Sequence, residues 1–332
     1  MIDGSKLKCL TVSYMPCSIV IRLTGDYKTY VELRNGSILE GKQVVIDGTK
    51  SEVRIFEDSQ ISVSGQSLSV NGTQSPPEGV GASFIAQGGG YQCNRTQSAP
   101  GLTYGEFDMV PDYERISNIG SQLGSCGQQS LVESAGGGRI VIYADSVYFY
   151  GPGQKLSANA RPYEDAEEKS YSLAGGSGGY IYVKTTNYIT NNTLDELAEL
   201  SARGGKGFGG YGAGSGGVVV LDEEFALSSM KIHVSGGQAG NQTDEHNCLN
   251  GGSGTIYHVQ NDTLVARNEE RKTKSRTILR VPPDKAQVEG KNQLAAKMFV
   301  VDGAHVQVLN EEYSDLIFDE LYVWNFSWLQ LS

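Results

Sequence analysis

Two aspartates occupy similar places in the sequence, and paired carboxylates are the groups that cleave glycosidic bonds by acid–base or nucleophilic chemistry. Asp145 precedes the apolar segment 147–150, and Asp222 follows the apolar run 218–221. Each lies a few residues after a glycine-rich stretch, at a similar offset from it. Their neighbours are apolar strand-forming residues and add no further catalytic group. We therefore expect solvent-facing turns here, and a polysaccharide lyase or hydrolase is the alternative to a non-enzymatic protein.

Three acidic clusters offer the oxygen ligands that calcium prefers. They lie within 164–168, at 222–224 and at 244–245, and His246 and Cys248 follow the last of them. The glycine-rich stretches lack the aspartate that a calcium-binding β-roll repeat places in each loop. One short turn with His246 and Cys248 does not supply the tetrahedral ligand set of zinc. We predict no cofactor and no metal site, with loosely held calcium as the alternative.

Glycine-rich segments also raise the question of phosphate binding or of a nucleophilic serine. Gly205 and Lys206 are followed by Gly207, where a P-loop has Ser or Thr. The sequence "GAGSG" from Gly212 is not a nucleophile elbow, because a strand-like run follows it instead of a helix. Neither a phosphate cradle nor a serine nucleophile is expected.

Charge and hydropathy narrow the set of partners. The 332 residues carry a formal net charge of −11 and a sequence pI of about 4.9. No basic stripe with interleaved aromatic residues is present, so nucleic acid and anionic membranes are poor partners. No apolar run approaches the roughly 18 residues of a membrane-spanning helix. The partners that remain are copies of this chain, other surface glycoproteins and polysaccharide.

N-glycosylation sequons are more frequent than composition explains. Seven of the sixteen asparagines begin an N-x-[ST] sequence, whereas chance predicts about two. They are Asn35, Asn71, Asn94, Asn191, Asn241, Asn261 and Asn325. This density is typical of a chain that passes through a secretory pathway, and it predicts an extracellular or cell-surface protein. Because the first residues lack the apolar core of a signal peptide, we expect a fragment or a chain without its leader.

The five cysteines fit the same location. Cys9, Cys17, Cys93, Cys126 and Cys248 show neither a CxxC motif nor zinc-type spacing. In an oxidising compartment, Cys9–Cys17 and Cys93–Cys126 are candidate disulfides. Cys248 is then left over or is bonded outside this chain. Spacing alone leaves the connectivity open.

A sequence repeat predicts the strands and corners on which the residues discussed above lie. Between Gly136 and Gly254 lie 24 of the 43 glycines, and four glycine-rich segments there lead into alternating apolar runs. Alignment of these joins gives equivalent positions to Ile140, Ile181, Val219 and Ile256. Second short strands are predicted from Lys155, Glu199 and Lys231. One unit thus contains two strands and a corner.

A shorter repeat of about 22 residues runs through the N-terminal part. It matches Val31 with Val53 and Ile38 with Ile61, and strand-like runs without rich glycine resume near the C-terminal end. Short strands separated by regular turns predict an all-β protein. Among all-β folds a solenoid is favoured, because one repeat cannot bury its inward apolar face without a stacked neighbour.

The predicted fold class is therefore all-β, a parallel β-helix (β-solenoid) with a long irregular insert that a disulfide would anchor. We expect β-helix coils in 1–72, the Cys-, Pro- and Gly-containing insert in 73–134, glycine-rich coils in 135–266 and C-terminal coils in 267–332. The only helical candidate is 193–202. At each corner, glycine is expected because the backbone adopts a positive φ or passes closely against the next coil.

The order of these motifs resembles a known group of proteins. The segments "SIVIRLTGDYKTYVELRNGSILEG", "GGGRIVIYADSVYFYGPGQKLSANA", "GGSGGYIYVKTTNYI" and "GGSGTIYHVQNDTLVARN" are similar to the N-terminal region of large glycine-rich extracellular proteins of plants and protists. The similarity is best over 136–268. It implies a secreted or surface-anchored β-solenoid and brings no catalytic residues. Since the pattern stops at Ser332 without a cap, we expect either a longer protein or an assembly surface at 324–331.

These observations together predict a non-enzymatic extracellular glycoprotein with a structural, adhesive or filament-forming role at the cell surface or in extracellular matrix. The alternative is a carbohydrate-binding or polysaccharide-cleaving β-helix. Tyrosines near the glycine joins would form ladders whose exposed rings suit sugar faces. These tyrosines are Tyr143, Tyr180, Tyr182, Tyr211 and Tyr257.

Overall fold

The computed structural model of the chain describes its β-sheet framework. The described residues are 2–3, 6–8, 18–24, 29–65, 86, 88, 132–162, 167, 172–190, 197–222, 230–240, 248–280, 294–309 and 316–331. Within these ranges the chain is all-β with mostly parallel sheets, and the one helical segment is a 3-10 turn at Val132–Ser134. The predicted all-β class is thus confirmed.

The described part of the chain forms twenty strands. In chain order they are β1 (Ile2–Asp3), β2 (Lys6–Lys8), β3 (Ser18–Arg22), β4 (Thr29–Arg34), β5 (Ile38–Glu40), β6 (Gln43–Phe56), β7 (Gln60–Ser62), β8 (Arg139–Tyr150), β9 (Lys155–Ser157), β10 (Tyr180–Thr190), β11 (Glu199–Ser201), β12 (Val218–Leu221), β13 (Lys231–His233), β14 (Gly254–His258), β15 (Thr263–Arg267), β16 (Thr277–Arg280), β17 (Lys297–Val301), β18 (His305–Leu309), β19 (Glu320–Val323) and β20 (Trp328–Leu331).

These strands build three sheets. The large sheet has the order β1-β4-β6-β8-β10-β12-β14-β15-β17-β19, with β3 also paired to β6. The second sheet has the order β13-β11-β9-β7-β5-β2, and the third has the order β16-β18-β20. From β4 to β14 the chain alternates between the large and second sheets. Every described strand pair is parallel except β14–β15, which is antiparallel.

The register of the large sheet follows the alignment of the glycine joins. Ile181 pairs with Ile140 on one side and with Val219 on the other, and Val219 pairs with Ile256. The four predicted equivalent positions therefore form one row across β8, β10, β12 and β14, and the prediction is confirmed. All four side chains are buried, because alternation places them on the inward face of every strand.

The N-terminal strands of the large and second sheets show the same regularity, with one correction. Val31 pairs with Val53 as predicted, but the match of Ile38 with Ile61 is wrong, since Ile61 pairs with Leu39. Leu39 and Ile61 are fully buried, whereas Ile38 is only half-buried. A shift of one residue would turn the wrong side chain inward, so burial keeps the 22-residue spacing.

A helix does not form in the described part of the helical candidate 193–202. Its residues Glu199–Ser201 form β11, where Leu200 is buried between Leu156 of β9 and Ile232 of β13. The pairing on both sides outweighs the helical propensity of the sequence. Residues 193–196 lie outside the described residues.

Two apolar cores lie on opposite faces of the large sheet. The first lies between the large and second sheets and contains, for example, Ile140, Phe149 and Leu200. The second contains Met298 of β17 and Val306 of β18, between the large and third sheets. The antiparallel β14–β15 pair is the point where the chain moves from one face to the other.

The predicted insert 73–134 falls almost entirely outside the described residues. Its described residues are Ala86, Gly88 and the 3-10 turn Val132–Ser134, and the first two contact the chain at the start of β16. Ala86 forms an isolated antiparallel bridge with Thr277, and the Gly88 carbonyl oxygen accepts a hydrogen bond from the Ser275 hydroxyl at 3.1 Å. The insert is therefore tied to the C-terminal half at these two positions.

Close main-chain packing explains the glycines at the joins. Gly138, Gly179, Gly217 and Gly254, here called the glycine column, directly precede or begin β8, β10, β12 and β14. A Cβ atom on any of the last three would overlap the carbonyl oxygen of the preceding column glycine. None of the four has a positive φ. Of the two reasons expected for corner glycines, close approach is therefore the one that applies here.

Candidate functional site

The structure describes three of the seven sequon asparagines. Asn35 is exposed, with a φ of 54°, in the turn between β4 and β5. Asn261 is exposed in the turn between β14 and β15. Asn325 is half-buried, and its Nδ2 donates a hydrogen bond to Asp302 Oδ1 at 3.0 Å. The other sequons, Asn71, Asn94, Asn191 and Asn241, lie outside the described residues.

The cysteine prediction needs a correction at Cys248, which is disulfide-bonded. It was expected to be left over or bonded outside this chain. Cys9, Cys17, Cys93 and Cys126 lie outside the described residues, so the predicted pairs are not seen directly. With five cysteines in all, one bond to Cys248 means that Cys9–Cys17 and Cys93–Cys126 cannot both form.

The two candidate catalytic aspartates do not occupy equivalent positions. The pairing of Val183 with both Ile142 and Leu221 places Asp222 level with Tyr143, two residues before Asp145. The two aspartates lie on strands separated by β10, about 10 Å apart across the sheet. Lys184 of β10 lies beside Asp222, with 3.7 Å between Nζ and Oδ2. Asp222 is thus paired with a lysine, and Asp145 lies within β8, so the turn expected at Asp145 is wrong.

The acidic clusters are described only in part. Glu167 and Asp222 are described, while their acidic neighbours, the pair at 244–245 and His246 lie outside the described residues. Among the residues that the structure describes, no three His, Cys, Asp or Glu side chains lie close enough together to hold a metal ion.

Most of the tyrosines at the glycine joins are packing residues. Tyr180, Tyr182 and Tyr257 are buried, and Tyr143 meets Tyr182 edge-on with ring centroids 5.5 Å apart. Burial raises the pKa of the Tyr182 hydroxyl, with smaller contributions from Asp222 and Tyr143. A buried ring offers no surface to a sugar, so these positions are not an exposed ladder.

An ordered aromatic and charged array lies instead on the outward side chains of β4, β6 and β8. Opposite their inward apolar neighbours, β4 presents Tyr30, Glu32 and Arg34, β6 presents Glu52, Arg54 and Phe56, and β8 presents Tyr148 and Tyr150. The register aligns Glu32, Arg54 and Tyr148 in one row across the three strands. These eight residues are called the outer grid below.

Rings and guanidinium groups of the outer grid form one continuous stack. Arg34 lies over the Phe56 ring at 4.4 Å, and the Phe56 and Tyr150 rings stack with centroids 5.1 Å apart. Tyr150 stacks on Tyr148 at 5.6 Å. Arg54 then lies between Tyr148, at 5.9 Å, and Tyr30, at 4.7 Å. Such cation–π and stacking contacts each contribute roughly 0.5–1.5 kcal/mol.

Two buried carboxylates hold the arginines of the outer grid in place. Arg54 contacts both Glu52, with Nε 2.8 Å from Oε2, and Glu32, with Nη1 3.5 Å from Oε2. Arg34 Nε lies 2.5 Å from Glu32 Oε1. Glu32 and Glu52 are almost fully buried, and the hydrogen bond to Glu52 raises the pKa of Arg54. Each carboxylate is thus paired with a guanidinium group, which offsets the cost of burying its charge on a sheet face.

The outer grid combines fixed planar groups with exposed surface. Tyr30 is 47% exposed, and the Arg34 side chain is 44% exposed. The Phe56, Tyr148 and Tyr150 side chains are half-buried. Burial raises the pKa of the Tyr150 hydroxyl, which the neighbouring Tyr148 reinforces. The outer grid therefore presents planar groups whose surfaces are partly open to solvent.

A second charged cluster joins β11 and β13 to the turn after β15. Glu269 Oε1 lies 2.7 Å from His233 Nδ1, and Glu269 Oε2 lies 3.3 Å from Arg203 Nη2. Burial raises the pKa of Glu269, but His233 and Arg203 outweigh this effect and the pKa is lowered. Arg271 completes the cluster, and burial lowers its pKa to about 10. The cluster thus ties β13 and the residues after β11 to the turn after β15.

Comparison with protein-family models gives no match, and comparisons with curated proteins and with solved structures give none either. Within the described ranges, no helix has the length and hydropathy needed to span a bilayer. Functional proposals for this chain therefore depend on its own residues.

Proposed function

We propose that this protein is a non-enzymatic extracellular glycoprotein whose chain winds as a parallel β-solenoid. In this role it is a structural, adhesive or filament-forming element at the cell surface or in extracellular matrix. The observation that carries the proposal is the in-register, parallel stacking of successive segments in two sheets, with the glycine column packed main chain against main chain. Stacks of this kind form stiff, extended scaffolds because each repeat contacts mainly its neighbours.

The extracellular part of the proposal is supported by the seven sequons and by the disulfide at Cys248. Exposed turns carry two of the three described acceptor asparagines, as glycosylation requires. The test is expression of the chain behind a secretion leader in eukaryotic cells, followed by mass spectrometry of tryptic glycopeptides. We expect Asn35 and Asn261 to be occupied.

Asn325 provides an internal comparison in the same experiment. Its Nδ2, the atom that would carry the glycan, donates to Asp302. We therefore expect lower occupancy at Asn325 than at Asn35 and Asn261. A chain that is secreted with all seven sequons unmodified would contradict the glycoprotein proposal.

Self-association is the partner interaction that the C-terminal strands favour. β19 is the last strand in the order of the large sheet, and β20 is the last in the third sheet. Near them, Trp324, Phe326 and Trp328 are 62%, 82% and 64% exposed. Exposed apolar side chains beside a sheet edge favour pairing with another chain.

Sedimentation velocity over a concentration series, with negative-stain microscopy, tests this partner. We expect the chain to form end-to-end rods or fibres, and the double variant Phe326→Ser/Trp328→Ser to sediment as a monomer. Ile189→Ser, at a half-exposed apolar position on β10, is the matched control and should assemble normally. Single short rods at high concentration would contradict the filament role.

A further inference from the structure

We propose that the outer grid is a binding site for a neutral polysaccharide. Sugar rings present two kinds of surface, apolar C–H faces that stack on planar groups and hydroxyls that need hydrogen-bond partners. The outer grid provides both on three adjacent strands, with one exposed ring, three half-buried rings and two guanidinium planes above buried carboxylates. This site goes beyond a purely structural role for the chain.

The planar groups of the outer grid are preorganised. Arg54 is fixed by Glu32 and Glu52, and its guanidinium plane lies between Tyr30 and Tyr148. Side chains that are locked by neighbours lose little conformational entropy when a ligand binds. Tyr30, at the open end of the stack, is the ring that a ligand reaches most easily, because nearly half of its surface is exposed.

The dimensions of the outer grid suit a chain of sugars. Three strands span about 10 Å across the sheet, and the five residues from Tyr30 to Arg34 span about 13 Å along the strand. A surface of this size accommodates several linked sugar rings side by side.

Charge favours a neutral ligand over an acidic one. Two arginines and two glutamates make the charge of the outer grid zero, and the whole chain carries −11. Nucleic-acid sites need a surplus of positive charge, which this face lacks. The guanidinium groups therefore serve as planar surfaces and hydrogen-bond donors whose charge is already balanced.

Sheet geometry disfavours an extended peptide as the ligand. Peptides that add to a sheet pair with an unpaired edge strand. β6 pairs with β4 and β8, and β8 pairs with β6 and β10, so the centre of the outer grid has no such edge. A ligand must contact side chains from above, as a sugar polymer does.

Affinity electrophoresis through native gels tests the proposal. The gels contain hydroxyethyl cellulose, laminarin, xyloglucan or glucomannan as neutral probes, and polygalacturonate or heparin as acidic ones. Because Asn35 adjoins Arg34, N-linked glycans are first removed enzymatically, so that the protein's own sugars do not occupy the face. We expect at least one neutral polymer to retard the protein, and affinity to stay within about twofold at about 0.5 M NaCl, because balanced charges leave little for salt to screen.

Three variants locate the binding. Tyr30→Ala should weaken affinity for the neutral polymer by about tenfold or more, and Arg54→Lys, which keeps the charge but loses the plane, should weaken it as well. The matched control is Tyr322→Ala, which removes an equally exposed ring far from the outer grid on β19 and should bind as the unmodified chain. Thermal unfolding confirms that each variant is folded.

Three results would overturn the proposal. These are no retardation by any neutral polymer, equal affinity of Tyr30→Ala and Tyr322→Ala, or retardation that occurs only with acidic polymers and disappears in salt. Rod formation in sedimentation is measured separately, so loss of sugar binding with intact rods would contradict the binding site and leave the structural role standing.

Discussion

At the scale of single residues, the positions of the glycine column have no room for a side chain. The carbonyl oxygens of Gly138, Gly179 and Gly217 each accept a main-chain hydrogen bond from the next strand, at 2.9–3.0 Å. A side chain would occupy the same space as these carbonyl oxygens. The requirement is steric rather than conformational, because the column glycines do not have positive φ.

Gly179→Ala is therefore expected to lower the free energy of unfolding by about 3 kcal/mol or more, since the main chain of Gly137 and Gly138 must move to admit the methyl group. Urea unfolding followed by circular dichroism measures this. Gly36→Ala is the control, because Gly36 has a φ of 70° with open space around its missing Cβ. It should cost only about 1 kcal/mol from backbone strain. Equal costs would show that crowding is not what selects glycine in the column.

A buried histidine makes stability depend on pH. His258 on β14 is 4% exposed, and burial lowers its pKa below the ordinary 6.5. The unfolded chain then binds a proton more readily than the folded chain. Stability from this residue is complete above about pH 6.5 and is lost as pH falls below that value towards the folded-state pKa.

Urea unfolding between about pH 5 and pH 8, a range around the ordinary pKa of histidine, measures this effect. His258→Gln should flatten the loss of stability at the acid end. It should not abolish the loss, because burial and Arg276 also lower the pKa of His305. A variant with the same pH profile as the unmodified chain would show that His258 does not titrate between the two states.

At the scale of elements, the stacking of short strands depends on a few inward side chains. Leu200→Ala on β11 removes a fully buried side chain between Leu156 and Ile232 and should cost about 2–5 kcal/mol. Lys155→Ala, on the neighbouring β9, removes an exposed side chain paired with Glu199 and should change stability by less than about 0.5 kcal/mol. Chemical denaturation of both variants measures the difference. A small effect of Leu200→Ala would mean that the second sheet is not packed as described.

Sequence patterns predicted inward positions better than outward ones. Sequence alignment predicts the row Ile140, Ile181, Val219 and Ile256, because crowding requires glycine before each strand and the glycines are easily aligned. The one-residue error at Ile38 arose because two adjacent apolar residues fit the pattern equally, and only burial distinguishes them.

The outer grid was not predicted, because its members are spread over three strands that are distant in sequence. Tyr30 and Glu52, Glu32 and Arg54, and Arg34 and Phe56 do follow the 22-residue spacing. Alignment of outward positions at this spacing would have brought the six together. Tyr148 and Tyr150 follow a long insert, so no fixed spacing connects them to the others, and only the sheet pairing does.

At the scale of the whole molecule, the disulfide joins Cys248, between β13 and β14, to a cysteine far earlier in the sequence. The cysteines nearest in sequence are Cys126 and Cys93, and all other cysteines precede β8. A bond that closes so long a loop restricts the unfolded chain and stabilises the fold by roughly 4–5 kcal/mol in the entropic account.

Peptide mapping without reduction tests this bond. We expect a crosslinked peptide that contains Cys248, and no more than one of the pairs Cys9–Cys17 and Cys93–Cys126. Reduction should lower the unfolding midpoint. Recovery of both of these pairs together with a free Cys248 thiol would contradict the bond.

Unequal spacing along the glycine column has a consequence for how the molecule can change. Successive column glycines are 41, 38 and 37 residues apart, yet strand pairing is unbroken across all of them. Chain length between the strands is thus uncoupled from register. Insertions and deletions in these connections change the surface without disturbing the strand pairing. The connections are therefore the places to graft an epitope, a tag or a binding peptide.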